Sequence, residues 1–304
     1  MSAQAGPAGL PLVSRASHSD VDATRLVRAK GYPYRRPSSS FLYVDGTAHT
    51  FRDNTWRGPH GLEALQLTAP SGAIASGAAV LAGAGVAEGW APTQQWTPVL
   101  AIGSNAGPGQ LARKYPPDLF PHGVVVPVVR SVLTGFDVVY APLITSYGSC
   151  SATLEAAPGT DVELFVTFLT PALLQRMHET EGAYLLCRLS SICLHLGTSL
   201  ESHRDSAPCA GRMTTVYQYN HQAGCLHVLL GPQGAASPVA LQEIRALGRR
   251  LPALPQMGMQ RANLNDEAAR KARVDALIAR AKPFSYARSE VLQALGSLYA
   301  HNVA

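Results

Sequence analysis

The sequence predicts an α+β fold: a mixed, barrel-like β-sheet with helices on its outside. Three observations carry this. Short β-branched and aliphatic runs crowd residues 98–230. One of them alternates with the period of a half-buried strand. Helical periodicity is scarce in that stretch and returns only after residue 238.

In chain order, residues 1–60 read as irregular, with one short strand at Phe41–Val44 ended by the Asp45-Gly46 turn signal. Residues 61–96 read as loop with one Ala-rich helix around Ala78–Ala87, and "APTQQWTP" as a linker into the core. "VLAI" is then a short buried strand, and "GVVVPVVRSV" and "FDVVYAP" are two more. In "DVELFVTF", Val162, Leu164, Val166 and Phe168 alternate. "AYLLCRL", "MTTVYQY" and "CLHVLL" complete the strands. The one clear helix of this region is "TPALLQRMHETEG". Thr170 suits the N-cap and Pro171 the first helical position, Leu173, Leu174 and Met177 make an apolar face, and Gly182 is the stop. After residue 238, "VALQEIRALGRR", "DEAARKARVDALIARA" and "SEVLQALGSLYA" read as three helices.

The chain has 304 residues, and 15% of them are charged, below the ~25% usual for globular chains. Its formal net charge is +5, and the basic residues are spread rather than striped with aromatics, so a nucleic-acid partner is not expected. "GAIASGAAVLAGAGVAEGW" is too rich in glycine for a membrane span, and no membrane partner is expected. Five cysteines without a CxxC pair, and no secretory signal pattern at the start, imply reduced thiols and a cytoplasmic location.

Two stretches suggest chemistry. In "AIGSNAGPGQLARKYPP" a strand stops at Gly103-Ser104-Asn105 and Pro108 opens a helical pattern. Backbone N–H groups of such a turn can converge on an anion, carboxylate or phosphate. It is neither a Walker A loop nor GxGxxG, and on these residues alone a plain strand-to-helix turn is the simpler reading. In "MHETEG", Glu181 falls at a helix C-terminus with Glu179 as a like-charged neighbour. Both favour the protonated carboxyl, and burial would push the same way, which suits a general base or acid near neutral pH. The competing reading is a solvated surface glutamate. Gly182 stands where HExxH needs its second histidine, which excludes a zinc-protease site. Cys150 with His195, His203, His221 or His227 matches no nucleophile signature, and Cys187, Cys193 and His195 match no zinc spacing. Buried, inert thiols are the simpler expectation. The basic stretch "ARKARVDALIARAKP" reads as a solvated helical face.

Taken together, "VLAIGSNAGPGQLARKYP", the long run from "VLTGFDVVYAP" through "SATLEAAPGTDVELF" to "HETEGAYLL", and "TVYQYNHQAGCL" resemble the gamma-glutamylcyclotransferase-like family over about residues 97–230. The carriers are a strand entering a Gly-Ser-Asn turn, a small-residue "ATL…PG" segment, a helix ending in Glu-Gly, and a tyrosine in the following strand. The resemblance implies a gamma-glutamylcyclotransferase-like mixed β-barrel at residues 96–235, between an N-terminal extension (1–95) and a helical C-terminal extension (236–304). It implies that Ile102, Gly103, Ser104 and Asn105 bind the α-carboxylate of a γ-glutamyl group, that Glu181 is general base and then acid, and that Tyr219 lines the pocket. The implied reaction releases 5-oxoproline from a γ-glutamyl amine or related amide. That is transferase or lyase chemistry of the kind found in glutathione metabolism, with a small-molecule partner, no metal and no cofactor. One residue departs from the pattern: the family turn usually begins with tyrosine, and here Ile102 stands there. A complete Tyr147-Gly148-Ser149 occurs later, out of place for the motif. The alternatives are a non-catalytic module binding a small molecule or peptide on the same fold, favoured by Ile102, and an accessory domain of amide hydrolysis.

Overall fold

The protein is described from a computed structural model, over residues 24, 27–28, 32, 34–52, 56–85, 95–205, 210–229, 236–238 and 266–290. The Asp45-Gly46 pair, both at positive φ (40° and 88°), turns β1 (Phe41–Val44) into β2 (Thr47–Phe51). β3 (Gln66–Thr68) and β4 (Ile74–Ser76) follow, and Ser76 caps α1 (Gly77–Gly83) through the Ala79 N–H. β5 (Thr97–Ala101) leads through a short 3-10 turn (Ser104–Ala106) into α2 (Pro108–Lys114). Two 20-residue strands come next, β6 (Val125–Ile144) and β7 (Cys150–Leu169). Then follow α3 (Pro171–Thr180), β8 (Tyr184–Leu196), α4 (Leu200–Arg204) and β9 (Gly211–His221). β10 (Cys225–Leu229), β11 (Ala236–Pro238), α5 (Glu267–Ile278), β12 (Ala281–Lys282) and β13 (Ser289–Glu290) end the described chain.

Five of these strands close a barrel. β5 pairs with β7, β7 with β6, β6 with β8, and β8 with β9, all antiparallel, and β9 returns to β5 in parallel at Tyr217 and Val99. Closure satisfies strand edges that would otherwise stay open. β1 pairs antiparallel with β6 outside that ring and carries the meander β1-β2-β3-β4, while β13 pairs with β8.

The two strands expected from "GVVVPVVRSV" and "FDVVYAP" are one. Gly135 (φ 80°) takes up a register shift between Thr134 and Phe136 as a bulge, so the strand bends without ending. Likewise β7 runs through Gly159 (φ 81°) and absorbs both "SATLEA" and "DVELFVTF". β2, β3 and β4 are too short and too mixed in polarity for a periodicity signal. The helix expected at Ala78–Ala87 forms as α1, and residues 86–94 lie outside the described set. Of the three C-terminal helices expected, α5 forms with Asp266 as its N-cap. "VALQEIRALGRR" lies outside the described residues. "SEVLQALGSLYA" opens as strand, because Ser289 and Glu290 pair with Arg188 and Cys187 of β8, and its remaining residues are outside the described set.

Two apolar clusters form the core of the described residues. One gathers Leu42, Leu133, Leu154, Leu164 and Leu194 with Trp56, whose ring lies 4.9 Å from Phe168 and 6.0 Å from Phe51. The other packs Leu111 and Tyr115 from α2 and its exit, and Leu173 and Met177 from α3, onto Val99, Phe165 and Tyr219 of the barrel. Tyr115 Oη donates to the Leu173 carbonyl (3.2 Å) and Arg176 Nε to the Lys114 carbonyl (2.9 Å), so the two helices are tied end to end. The segment after β12 is held by the buried Glu155. Its Oε1 accepts from the N–H (3.1 Å) and Oγ (2.6 Å) of Ser285, and its Oε2 from Cys225 Sγ (3.1 Å). No helix among the described residues is long and apolar enough to cross a membrane.

His221 gives the fold an acid limit. It is buried, its Nδ1 accepts from the Ala223 N–H (3.2 Å), and burial pushes its pKa down from 6.5 to about 4. A proton there must be refused by the folded chain and is taken by the unfolded one. Its contribution is therefore complete above about pH 6.5 and is lost as pH falls toward 4. Denaturant titrations at pH 7 and pH 4.5 are expected to show a loss of up to about 3 kcal/mol from this group. His221→Gln is expected to flatten the difference, and an unchanged pH dependence in that variant would refute the assignment.

Candidate functional site

The strand-to-helix turn departs from regular structure at once after β5. Gly103 (φ −107°, ψ −117°) precedes the 3-10 turn, which closes with the Gly107 N–H on the Ser104 carbonyl (2.8 Å). Pro108 takes the first helical position of α2, as its fixed φ and missing N–H favour. Glycine at 103 gives the Tyr32 hydroxyl room: a Cβ there would meet it, and Tyr32 would have to shift. That hydroxyl accepts the Ala152 N–H (2.9 Å), and Tyr184 Oη donates to the Ala152 carbonyl (3.0 Å). Burial pushes both phenols far above their ordinary pKa, so both stay neutral O–H groups. Tyr32→Phe would leave the Ala152 N–H, at a buried residue, without its partner. A loss of about 1–3 kcal/mol is expected in denaturant unfolding, and unchanged stability would mean that the contact is not made.

Glu181 sits where the local signals put it. Thr170 caps α3 through the Leu173 N–H (3.4 Å), the helix runs to Thr180, Glu181 is its C-cap and Gly182 follows at φ 52°. Its surroundings differ from the sequence expectation. Glu179 turns to Arg176 (2.8 Å). The charge that meets Glu181 is the Lys114 ammonium, 2.7 Å from Oε1 in a nearly closed environment, with side chains 5% and 13% exposed. Lys114 Nζ also donates to Thr180 Oγ1 (2.6 Å), and Asn105 Nδ2 donates to the same Glu181 Oε1 (2.9 Å). Glu181 Oε2 has no hydrogen-bond partner among the described residues.

Ile102, Gly103, Ser104, Asn105, Glu181 and Tyr219 all line one cavity of about 320 Å³. The turn and the carboxylate meet directly, through the Asn105–Glu181 hydrogen bond. Tyr219 Oη and His178 Nδ1 share a hydrogen bond of 2.7 Å. Burial holds the His178 imidazole below its ordinary value, with Glu181 pulling the other way. Sequence reasoning passed over Lys114, Tyr32 and Tyr184 and set Tyr147 aside as out of place, yet all four line this cavity. Lys114 did leave a signal: it follows the buried Leu111 by three residues, on the same helical face.

The thiols are not uniformly buried. Cys187 and Cys225 are, and burial pushes Cys150 up to about 12. Cys193 is exposed, with Sγ 3.1 Å from His195 Nε2. Cys187 is engaged elsewhere, by Arg288 Nη1 (3.0 Å). Among the described residues no three such side chains are placed to hold a metal ion.

No protein-family model matches the chain, and no curated protein matches it. Among solved structures, a gamma-glutamyl cyclotransferase aligns at 15% identity and a TM-score of 0.28, over 68% of this chain and 99% of its own. An uncharacterized protein from Homo sapiens aligns at 14% identity and a TM-score of 0.28, over 68% of this chain and 99% of its own. At so low a TM-score neither alignment identifies a family or a site.

Proposed function

We propose that the protein is a gamma-glutamylcyclotransferase-like enzyme that releases 5-oxoproline from a γ-glutamyl amine or related amide. One observation carries this reading: Glu181 lines the same cavity as the Gly103 turn and is hydrogen-bonded to it through Asn105. The amides of Gly103, Ser104 and Asn105 hold the substrate α-carboxylate. Lys114 and Asn105 fix Oε1 of Glu181, and Oε2 takes a proton from the substrate α-amine. The amine nitrogen then attacks its own γ-carbonyl carbon and closes a five-membered ring. As the amide bond breaks, Glu181 returns the proton to the leaving nitrogen, giving 5-oxoproline and a free amine. No water is consumed. Positioning and one proton shuttle are sufficient for such a ring closure.

Ile102 favours a second reading, a binding module without turnover, since the phenol that the family turn usually offers is missing there. Tyr32 weighs against it, because its phenol reaches the same turn from elsewhere in the chain. Incubation with a panel of γ-glutamyl compounds, with detection of 5-oxoproline, separates the two. Product from any member is the expected result. No product from the whole panel would remove the cyclotransferase reading, and binding without product would leave the module.

A further inference from the structure

Cys193 and His195 stand two residues apart on β8, so their side chains share one face of the strand. His195 is paired on both sides, with Val132 of β6 and Arg212 of β9. Cys193 pairs with Thr134 of β6, but on the β9 side the register shifts between Ser190 and Leu194, and Ser191 takes a φ of 59° there. At this bulge Cys193 is exposed beside the buried His195, with Sγ 3.1 Å from Nε2. The His195 ring is held in turn. It packs against the His203 ring of α4, centroids 4.4 Å apart, and His203 Nε2 lies 3.7 Å from Asp161 Oδ2 of β7. Burial, followed by His203 and Arg212, holds the His195 imidazole below its ordinary pKa, with Asp161 pulling the other way. The ring is therefore neutral at pH 7, and a neutral imidazole has one nitrogen free to take a proton. None of these residues lines the cavity of Glu181. Of the four described thiols Cys193 alone is exposed.

We propose that Cys193 is a nucleophilic thiol with His195 as its base, and that it takes up small-molecule disulfides as a reversible mixed disulfide. A base within hydrogen-bond reach of the nucleophile, itself oriented by a third group, is the arrangement that activates a thiol. As Cys193 Sγ attacks one sulfur of the disulfide, His195 Nε2 takes the thiol proton. A new S–S bond forms and the old one breaks. The departing sulfur leaves with the electron pair and receives that proton. Cys193 is thereby oxidised to the disulfide level, and one half of the reagent is reduced to a free thiol. Excess thiol reverses the exchange. Neither direction involves Glu181 or the Gly103 turn, so the site is independent of the cyclotransferase reading.

The test treats the full chain at pH 7 with 2-hydroxyethyl disulfide, an uncharged probe. Each cysteine is followed by mass spectrometry after tryptic digestion without reductant. The peptide Leu189–Arg204 contains Cys193 and no other cysteine. An ordinary thiol is only a few per cent thiolate at pH 7, so full activation raises the rate by up to about thirty-fold. Cys193 is expected to gain the hydroxyethylthio group about ten-fold or more faster than Cys150, Cys187 or Cys225, and to lose it on addition of dithiothreitol. Exposure alone would produce that ranking, so two comparisons isolate the base. His195→Gln is expected to slow Cys193 about ten-fold, with circular dichroism to confirm the fold. In the urea-unfolded chain no imidazole is held beside the thiol, and Cys193 is expected to react several-fold more slowly than in the folded chain. This second comparison needs no variant. The proposal is overturned by a Cys193 rate unchanged in His195→Gln, or by a folded chain no faster than the unfolded one. A disulfide from Cys193 to another cysteine of the chain, in place of the added group, overturns it as well.

Discussion

Glu181→Gln is expected to reduce 5-oxoproline release by about 10²- to 10⁴-fold, the range supplied by a positioned general base. The glutamine carbonyl can still accept from Asn105 and Lys114, which hold Oε1 in the native chain (2.9 and 2.7 Å). The geometry is therefore retained while proton transfer is lost. The fall should appear in kcat, with KM changed little, because in the proposed reaction the turn, and not Glu181, holds the substrate carboxylate. The measurement is steady-state release on the best γ-glutamyl substrate, with circular dichroism to confirm the fold. Activity within about three-fold of the native chain would remove Glu181 from the chemistry.

Lys114→Met is expected to produce the largest loss of stability. Lys114 is 4% exposed, and its ammonium satisfies both Glu181 and Thr180. Removing one member of a buried pair leaves the other uncompensated, at a cost of about 3–5 kcal/mol. Urea unfolding of the single variant and of Lys114→Met/Glu181→Gln tests the cause. The double variant should recover part of the loss, since no buried carboxylate is then left without its cation. If the double variant is less stable than Lys114→Met by the full cost of Glu181→Gln alone, the two residues do not act as a pair.

Much of the candidate site was legible because its signals are local. Thr170, Pro171 and Gly182 delimit α3 by capping chemistry, and that alone places Glu181 at a helix end. The bare turn after "VLAI" is equally local. Of the partners of Glu181, Asn105 was named from the turn, whereas Lys114 was not. In "QLARKY" its one signal is the three-residue spacing from Leu111, and it is the packing of α2 against α3 that buries it. Glu179 read as a repelling neighbour, and it pairs instead with Arg176, three residues earlier on the same helix. Tyr32 and the cavity-lining Arg28 and Arg270 lie in segments without strand periodicity or beyond the sheet, so nothing in their neighbourhoods points at a cavity. Tyr147 read as out of place for a motif, yet the hairpin between β6 and β7 brings it to the same wall. The barrel strands were visible as apolar runs, but their true lengths depend on bulges at glycines, which look in sequence like strand ends.

The barrel closure has a kinetic consequence. The ring is sealed by Ser131–Thr134 of β6 against Cys193–Leu196 of β8, and β5 meets β9 across more than a hundred residues of chain. The Asn105–Glu181 contact spans 76 residues, and Ser285 reaches back 130 to Glu155. Contacts so distant along the chain are slow to find, because loop closure is opposed by entropy before it is rewarded. Refolding is therefore expected on the millisecond-to-second scale or slower. Recovery of ligand binding should lag behind recovery of β-sheet signal, since the cavity has walls only once both ends of the chain have come home to the ring.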